Sequence, residues 1–201
     1  MMDKDETELE QLGLQQIPQV CWQLLSEGVD SARSPLHTPS LATIGEHGPS
    51  VRTVVLRCCD EEKRTLACHT DVRSAKVREA RADPRGSWLF YDRAPKHQLR
   101  LGGKLSVHID DGFADGRWSE TTAMGRACYN TEPGPGQNVP QPAGAPGLIS
   151  DDKAAQEARS HFAIIACRIE FLDWLLLSVA GHRRAQCHWR DGRWDANWVS
   201  P

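Results

Sequence analysis

Cationic residues recur between positions 52 and 76 at places where they could hold an anion. Arg52 and Arg57 stand at the two ends of a run rich in β-branched residues, where we expect a half-buried strand. Because an unpaired charge is costly to bury, a guanidinium there needs an anionic ligand or a carboxylate. Arg73, Ser74 and Lys76 stand at the expected start of a helix, where backbone amides, a hydroxyl and an ammonium make a phosphate site. The alternative is a solvated basic turn with arginines at strand ends, and spacing alone does not decide between the two.

The elements that position these residues are predicted to be three short strands and a helix. The strands are Leu41–Ile44, Val51–Cys59 and Thr65–His69, separated by turns at Gly48–Pro49 and Asp60–Lys63. The helix begins after Asp71 or Ser74, either of which can cap it, and ends near Asp83–Pro84.

Short strands also dominate the rest of the chain. Further strands are predicted at Ser87–Tyr91, Gln98–Ile109, Phe162–Phe171, Arg184–Trp189 and Trp194–Val199, and helices at Pro18–Glu27, around Trp118–Arg126 and at Asp151–His161. The pair Gly102–Gly103 indicates a bulge or a close backbone approach, and Asp191–Gly192 indicates a type I′ hairpin. We therefore predict a mainly β protein with flanking helices, an α+β arrangement built on a closed or nearly closed β-barrel.

The stretch from Tyr129 to Gly147 contains five prolines and cannot form a regular element. It is either a bare linker or a loop laid across a ligand or a partner subunit. We favour the loop, because regular structure resumes directly after it. The 201 residues are then predicted to form one domain, composed of an N-terminal helix and lead-in (1–40), a barrel core (41–110), this loop (129–147) and C-terminal strands (162–201).

Composition excludes several classes of protein. A formal net charge of −3 with scattered basic residues argues against nucleic-acid binding. No apolar run approaches the roughly 18–20 residues that span a bilayer, and the acidic N-terminus has no apolar signal region. Seven cysteines without CxxC spacing give little support for disulfides or a zinc site. We therefore expect a protein of the reducing cytoplasm that binds no metal and no membrane.

The motifs RTVVLR (52–57) and HTDVRSAK (69–76) resemble the flavin-binding core of the pyridoxamine 5'-phosphate oxidase family. The resemblance continues in QLRLGGK (98–104), in IEF (169–171), in HRR (182–184) and in the Trp-rich end of the chain. It implies the split β-barrel fold, flavin mononucleotide (FMN) as the cofactor, and a homodimer with two flavin sites at its interface.

The resemblance also implies roles for individual residues. Arg52 and Lys76 would hold the FMN phosphate with Ser74 as a neutral donor, and His69 and Thr70 would lie along the flavin. Gln98 would hydrogen-bond the polar edge of the ring. The segment Thr53, Val54, Val55 and Leu56 would lend it backbone groups and apolar contacts. Trp174 and Arg184, ten residues apart like a Trp–Arg pair of the family, would contact the flavin from the other end of the chain.

This chain departs from the family pattern at Ala75, where the family has an arginine. Arg73 is a candidate to replace that arginine, although it lies two places away.

On the substrate side, Arg57 matches a lysine that faces the substrate phosphate, and His182 is retained, but Ala180 replaces an arginine that orients the substrate ring. Arg126 is a candidate for a missing helix arginine. Arg57, His182 and Arg184 are thus the candidate catalytic residues.

Three hypotheses follow for the function. The first is an FMN-dependent oxidoreductase acting on an undefined small molecule. The second is pyridoxamine 5'-phosphate oxidase itself, which the loss at Ala180 weakens. The third is a non-catalytic module that binds a flavin or haem, with His69, His97 or His182 as the axial ligand. No Ser-His-Asp or phosphate-loop motif supports a hydrolase.

Overall fold

A computed structural model describes residues 9–142 and 144–201, in which antiparallel strands form one sheet. The strands are β1 (Ser40–Gly45), β2 (Gly48–Thr53), β3 (Cys58–Asp60), β4 (Thr65–Asp71), β5 (Arg85–Asp92), β6 (His97–His108), β7 (Phe162–Leu176), β8 (Arg183–Arg190) and β9 (Arg193–Trp198). The helices are α1 (Ile17–Asp30), α2 (Ala75–Ala82), α3 (Gly112–Glu120), α4 (Ala123–Ala127) and α5 (Asp152–His161), and a 3₁₀ turn at Leu14–Gln16 precedes α1. The prediction of a mainly β protein with flanking helices is confirmed.

The sheet divides at β7. The strands follow one another in the order β2, β1, β5, β6, β7, β4 and β3, and β6 pairs with nearly the whole length of β7. On the other side of β7, β4 pairs with residues 162–168 while β8 pairs with residues 171–176 and carries β9. The expected barrel is therefore split: the described strands do not close into one continuous ring.

Two predicted backbone features are confirmed. The pairing of β6 with β7 shifts register between Gly102 and Gly103, and a Cβ on Gly103 would collide with the carbonyl oxygen of Arg168. Only glycine fits such a close approach of two strands. Asp191 and Gly192, between β8 and β9, both have positive φ, as the type I′ turn requires.

Other boundaries differ from the prediction. The single strand expected at Val51–Cys59 is divided into β2 and β3, because the amides of Val54 and Leu56 donate to the carbonyls of Pro39 and His37 instead of to a neighbouring strand. β7 continues to Leu176, well beyond Phe171. One helix expected around Trp118–Arg126 is two, since the Thr122 hydroxyl accepts from the Gly125 amide and caps a new helix.

The core lies between the sheet and α1, which buries Ile17, Cys21, Trp22 and Leu25 on one face of the helix. Large side chains from the sheet fill the other side, among them Trp88, Phe90, Leu99, Leu101 and Trp174. The described residues between 129 and 147 contain no helix or strand, as predicted. Among the described helices, none has the length and the apolar content that crossing a bilayer requires.

Candidate functional site

A cleft of about 560 Å³ lies beside the irregular segment 54–57. The end of β4, the start of α2 and the helices α3 and α4 form its other walls. This volume is in the range of small-molecule sites. Eight of the residues predicted to bind a cofactor line it: Arg52, Thr53, Val54, Val55, Arg57, His69, Thr70 and Lys76.

One end of the cleft is built for an anion around Lys76. Ser74 is the N-cap residue of α2, so the helix begins next to Lys76, whose Nζ lies 3.2 Å from the Thr70 Oγ1. The Ser74 hydroxyl is buried behind Thr70, 3.1 Å from its oxygen. Burial lowers the pKa of Lys76, and no carboxylate of the described residues forms an ion pair with it. A half-buried ammonium in this position can be compensated by a bound anion.

Arg52, at the same end, already has a carboxylate partner. Its Nη2 lies 2.7 Å from Glu79 Oε2, and it also donates to Ser50 and Thr43. Although burial alone would raise the pKa of Glu79, the hydroxyl of Thr43 and the guanidinium of Arg52 hold it below its ordinary value. Glu79 thus meets the predicted need of Arg52 for a carboxylate, and it fixes the guanidinium beside the cleft.

The segment 54–57 presents backbone groups to the middle of the cleft. The side chains of Val54 and Leu56 are buried, and their amides donate inward. The Val55 amide between them makes no backbone hydrogen bond within the described residues. Since buried or half-buried amides need partners, this segment can pair with the polar edge of a planar ligand. Leu56 itself lies in the core and not on the cleft surface.

The other end of the cleft combines two arginines with two neutral ring groups. Burial, and then the charges of Arg57 and Arg117, lower the pKa of His69 to about 4, so its imidazole is neutral near pH 7. Burial raises the pKa of Tyr129, whose phenol therefore stays protonated. His69 packs edge-on against Phe162, and its Nε2 is buried without a hydrogen-bond partner among residues 9–142 and 144–201. Arg57 is exposed rather than half-buried as predicted, because it lies outside the strands.

Arg117 and Tyr129 were missed in the sequence. The predicted helix began at Trp118, one residue after Arg117, whereas α3 begins at Gly112 and carries Arg117 to the cleft. Arg117 pairs with Glu120 at 2.9 Å on the cleft rim. Arg126, the predicted candidate, instead donates to the carbonyls of Trp118 and Ser119 and stacks on the Trp118 ring.

Three predicted residues lie outside the cleft, on or under the surface of β6, β7 and β8. Gln98 pairs with Leu175, and Leu175 with Arg184, so this cross-strand row places Gln98 and Arg184 on one face of the sheet. Trp174 points to the opposite face and is fully buried in the core. The structure therefore brings Gln98 and Arg184 together but does not bring Trp174 to either surface.

Arg184 is held by a carboxylate that was not singled out in the sequence. Its Nε lies 2.9 Å from Asp173 Oδ1 and its Nη2 lies 2.8 Å from Asp173 Oδ2. Asp173 is only 1% exposed, and Arg100 and Gln186 also reach it. Burial alone would raise the pKa of Asp173, but these partners lower it below its ordinary value.

The remaining candidates lie elsewhere. Arg73 pairs with Asp71 and Glu132 and does not line the cleft. His182 is exposed just before β8. His97 is buried in the core beside Trp174, and burial lowers its pKa to about 4.

Part of this chain is similar in sequence to known proteins. Residues 19–109 match the family model of the pyridoxamine 5'-phosphate oxidase FMN-binding domain. A pyridoxine/pyridoxamine 5'-phosphate oxidase 2 of Arabidopsis thaliana is 37% identical over 90 residues, which cover 43% of this chain and 46% of that protein. The corresponding oxidase of Myxococcus xanthus is 37% identical over 76 residues, covering 37% of this chain and 35% of its own length. The chain thus matches less than half the length of these curated relatives.

Two solved structures share the fold along the chain. A pyridoxamine 5'-phosphate oxidase-related, FMN-binding protein of Nostoc punctiforme superposes with a TM-score of 0.71 at 22% identity, covering 94% of this chain and 100% of that one. PhzG of Burkholderia lata, solved with tetrahydrophenazine-1-carboxylic acid, superposes with a TM-score of 0.65 at 17% identity, covering 100% of this chain and 98% of its own. At sequence identities this low, the similarity to these two structures shows a common fold and nothing more.

Proposed function

Because residues 19–109 match the FMN-binding domain model of the pyridoxamine 5'-phosphate oxidase family, we propose that this chain belongs to that family of split-barrel proteins, that its cleft binds FMN and that it is a flavin-dependent oxidoreductase. The family includes oxidoreductases such as pyridoxine/pyridoxamine 5'-phosphate oxidase. The observation that carries the proposal is Lys76: a half-buried ammonium at a helix start, without a carboxylate partner among the described residues, in the matched part of the chain.

The cleft residues fit the parts of FMN. Lys76, Thr70 and the first amides of α2 would take the phosphate, with Arg52 held beside them by Glu79. The free Val55 amide would pair with the polar edge of the ring. FMN would supply a ring that accepts two electrons from a substrate and returns them to an acceptor. The protein's contribution is to bind and orient that ring.

The opposite end of the cleft suits a small substrate that carries an anionic group. Arg57 has no ion-pair partner among the described residues, and Arg117 has only the exposed Glu120. The neutral His69 and the protonated Tyr129 add hydrogen-bonding groups without adding charge. These four residues would bind the anionic group and orient the substrate, with Arg57 and Arg117 as the charged contacts.

The sheet face that carries Gln98 and Arg184 supports a homodimer as the functional unit. Tyr91 pairs with Gln98 across β5 and β6, and Leu89 pairs with Arg100, so both lie on this face. Tyr91 is 48% exposed and Leu89 is 41% exposed, an apolar area that a second copy would bury. We propose that this face of one protomer completes the cleft of the other, so that Gln98 and Arg184 reach the flavin across the interface.

Two smaller proposals accompany this one. The single sheet that runs from β1 to β9 supports one domain over the described chain. The seven cysteines, which are all free, suit a reducing compartment such as the cytoplasm.

The test is a titration of the apoprotein with FMN, read by the quenching of flavin fluorescence. We expect Lys76→Met to raise the Kd by about tenfold or more, since a hydrogen bond to a charged group contributes about 1.5–3 kcal/mol. Lys104→Met is the matched control, because Lys104 is an exposed lysine of β6 that does not line the cleft.

Absence of FMN uptake by the wild type, or equal affinity for both variants, would reject this cleft as the site. If FMN binds as expected, turnover of pyridoxamine 5'-phosphate by the flavin-loaded protein would identify the second hypothesis as the activity. The absence of turnover would direct the search to other anionic substrates.

A further inference from the structure

Arg73 stands next to the proposed phosphate end but is turned away from it. Its Nε lies 3.0 Å from Asp71 Oδ1 and its Nη2 lies 2.7 Å from Asp71 Oδ2, and its own amide also donates to Asp71 at 2.8 Å. The guanidinium thus binds the carboxylate of Asp71 with two parallel hydrogen bonds, the bidentate geometry that the planar arginine side chain favours. It cannot reach a phosphate beside Lys76 without giving up this pair.

Asp71 is the residue whose charge most needs such a partner. It is 7% exposed, lines the cleft beside Lys76, and would repel a phosphate bound there. Because Arg73 pairs with it bidentately, the net charge beside the phosphate end remains positive. The arginine therefore acts on the site through Asp71.

The other side of the same guanidinium holds a segment of the Pro-rich loop. We name Thr131–Pro135 the wall segment, since Pro135 lines the cleft. Arg73 Nη1 lies 2.7 Å from Glu132 Oε1, and Nη2 donates to the carbonyl of Thr131 at 3.1 Å. The backbone of Gly134 packs on the Arg73 side chain so closely that a Cβ there would lie 3.0 Å from Nε. Every nitrogen of the guanidinium is thereby used.

We propose that Arg73 is a positioning residue of the FMN site. It couples Asp71 to the wall segment, holds that segment against the cleft, and makes no contact with the phosphate itself. Retention of the ligand then depends on Arg73 and Glu132, although neither touches it. We call the contacts of Arg73 with Asp71 and with the wall segment the clamp. This inference rests on the proposed function for its ligand, while the clamp itself can be tested without a ligand.

The experiment compares Arg73→Gln, Glu132→Gln and the control Arg81→Gln, an exposed arginine of α2. The rate of FMN release is measured from the recovery of flavin fluorescence. Relative to the wild type, we expect release to be about tenfold faster in Arg73→Gln and about threefold faster in Glu132→Gln, where only one exposed ion pair is lost. Arg81→Gln removes the same charge and should leave the release rate unchanged.

Glu132→Gln separates the clamp from simple electrostatics. Removing a negative charge near an anionic ligand should slow its release if only long-range charge matters. Faster release supports the clamp, and unchanged or slower release overturns it. Arg73→Lys keeps the charge without the bidentate geometry, so a wild-type release rate in that variant would also overturn the proposal.

Limited proteolysis of the ligand-free protein with subtilisin makes the two proposals distinguishable. Cleavage within residues 131–142 should be several-fold faster in Arg73→Gln than in Arg81→Gln, because loop backbone is cut when it leaves its packed position. If no FMN binds but the cleavage rates differ as expected, the proposed function fails and the clamp stands. Equal cleavage rates would overturn the clamp.

Discussion

Two groups of residues predicted to bind the cofactor lie in different parts of the structure. Most of those between Arg52 and Lys76 converge on one cleft, whereas Gln98 and Arg184 share a row on a separate sheet face. The first group belongs to one short stretch joined by tight turns, so local structure alone brings its members together. The second depends on the register of three strands and, in our proposal, on a second copy of the chain. Residues near in sequence thus assemble through local structure, whereas distant ones depend on strand register and, in our proposal, on the dimer.

The largest expected effect is a loss of folding stability on replacing Trp174, which belongs to neither group because it lies in the core. Trp174 is fully buried and packs beside His97 and Trp198. Trp174→Ala should lower the free energy of unfolding by about 3–5 kcal/mol, the usual cost of deleting a large core side chain. Denaturant titration measures this, with the half-exposed Trp198→Ala as a milder control. If Trp174→Ala keeps its stability but loses FMN affinity, Trp174 is a cofactor contact and the assignment to the core is wrong.

Trp174 also shows what a sequence pattern can and cannot supply. Its ten-residue distance from Arg184 is preserved, but β7 continues through it, so Trp174 lies on the face opposite to its neighbour Leu175 and to Arg184, which pairs with Leu175. Runs of β-branched and apolar residues between turn residues predicted most strands, and glycine chemistry predicted the bulge at Gly102–Gly103 and the turn at Asp191–Gly192. These depend on neighbours in the chain.

Partners that are distant in sequence could not be predicted in this way. Glu79 is paired with Arg52 only because α2 packs against β1, the neighbour of β2, and Asp173 is paired with Arg184 only through the register of β7 and β8. Arg117 and Arg126 lie on two helices separated at Thr121 and Thr122, and no local pattern in the sequence indicates which of the two arginines lines the cleft. Tertiary packing determines which partner a polar side chain meets, and secondary-structure propensity carries no information about it.

A mixed dimer tests whether the two groups meet across an interface. Lys76→Met and Arg184→Gln should each weaken FMN binding by about tenfold or more. When both variants are co-expressed, each mixed dimer regains one intact site, so about a quarter of all sites should bind tightly again. Titration of the co-purified mixture with FMN measures this fraction, with Arg190→Gln, an exposed arginine of β8, as control.

Recovery would require that Lys76 and Arg184 in one site come from different chains. If the mixture gains no tight sites although each variant is weakened, the two residues act in the same chain or in separate sites. The contrast between the two groups would then reflect distance along the chain and not assembly.

Within the cleft, Arg52 and Lys76 should behave differently because, of the two, only Arg52 forms an ion pair with a carboxylate of the described residues. Arg52→Ala should raise the Kd for FMN by about tenfold, partly since it leaves Glu79 uncompensated beside the anion. The double variant with Glu79→Gln should recover about threefold of that loss, as a double-mutant cycle by fluorescence titration would measure. Equal Kd values for the single and double variants would mean that the charge of Glu79 does not reach the ligand.

The smallest effect is a pH dependence that belongs to the cleft group alone. Burial lowers the pKa of Lys76 from its ordinary value of 10.5, and only the protonated ammonium attracts the phosphate. FMN affinity should therefore fall as pH rises through this lowered pKa, so the Kd should begin to rise at a lower pH than an ordinary lysine would give, while the phosphate, whose second pKa is about 6, changes its charge only at lower pH. His69, with a pKa of about 4, adds no titration in this range. Lys76→Met should bind FMN more weakly but with a flat profile, and the same decline in both proteins would assign it to the flavin or to another group.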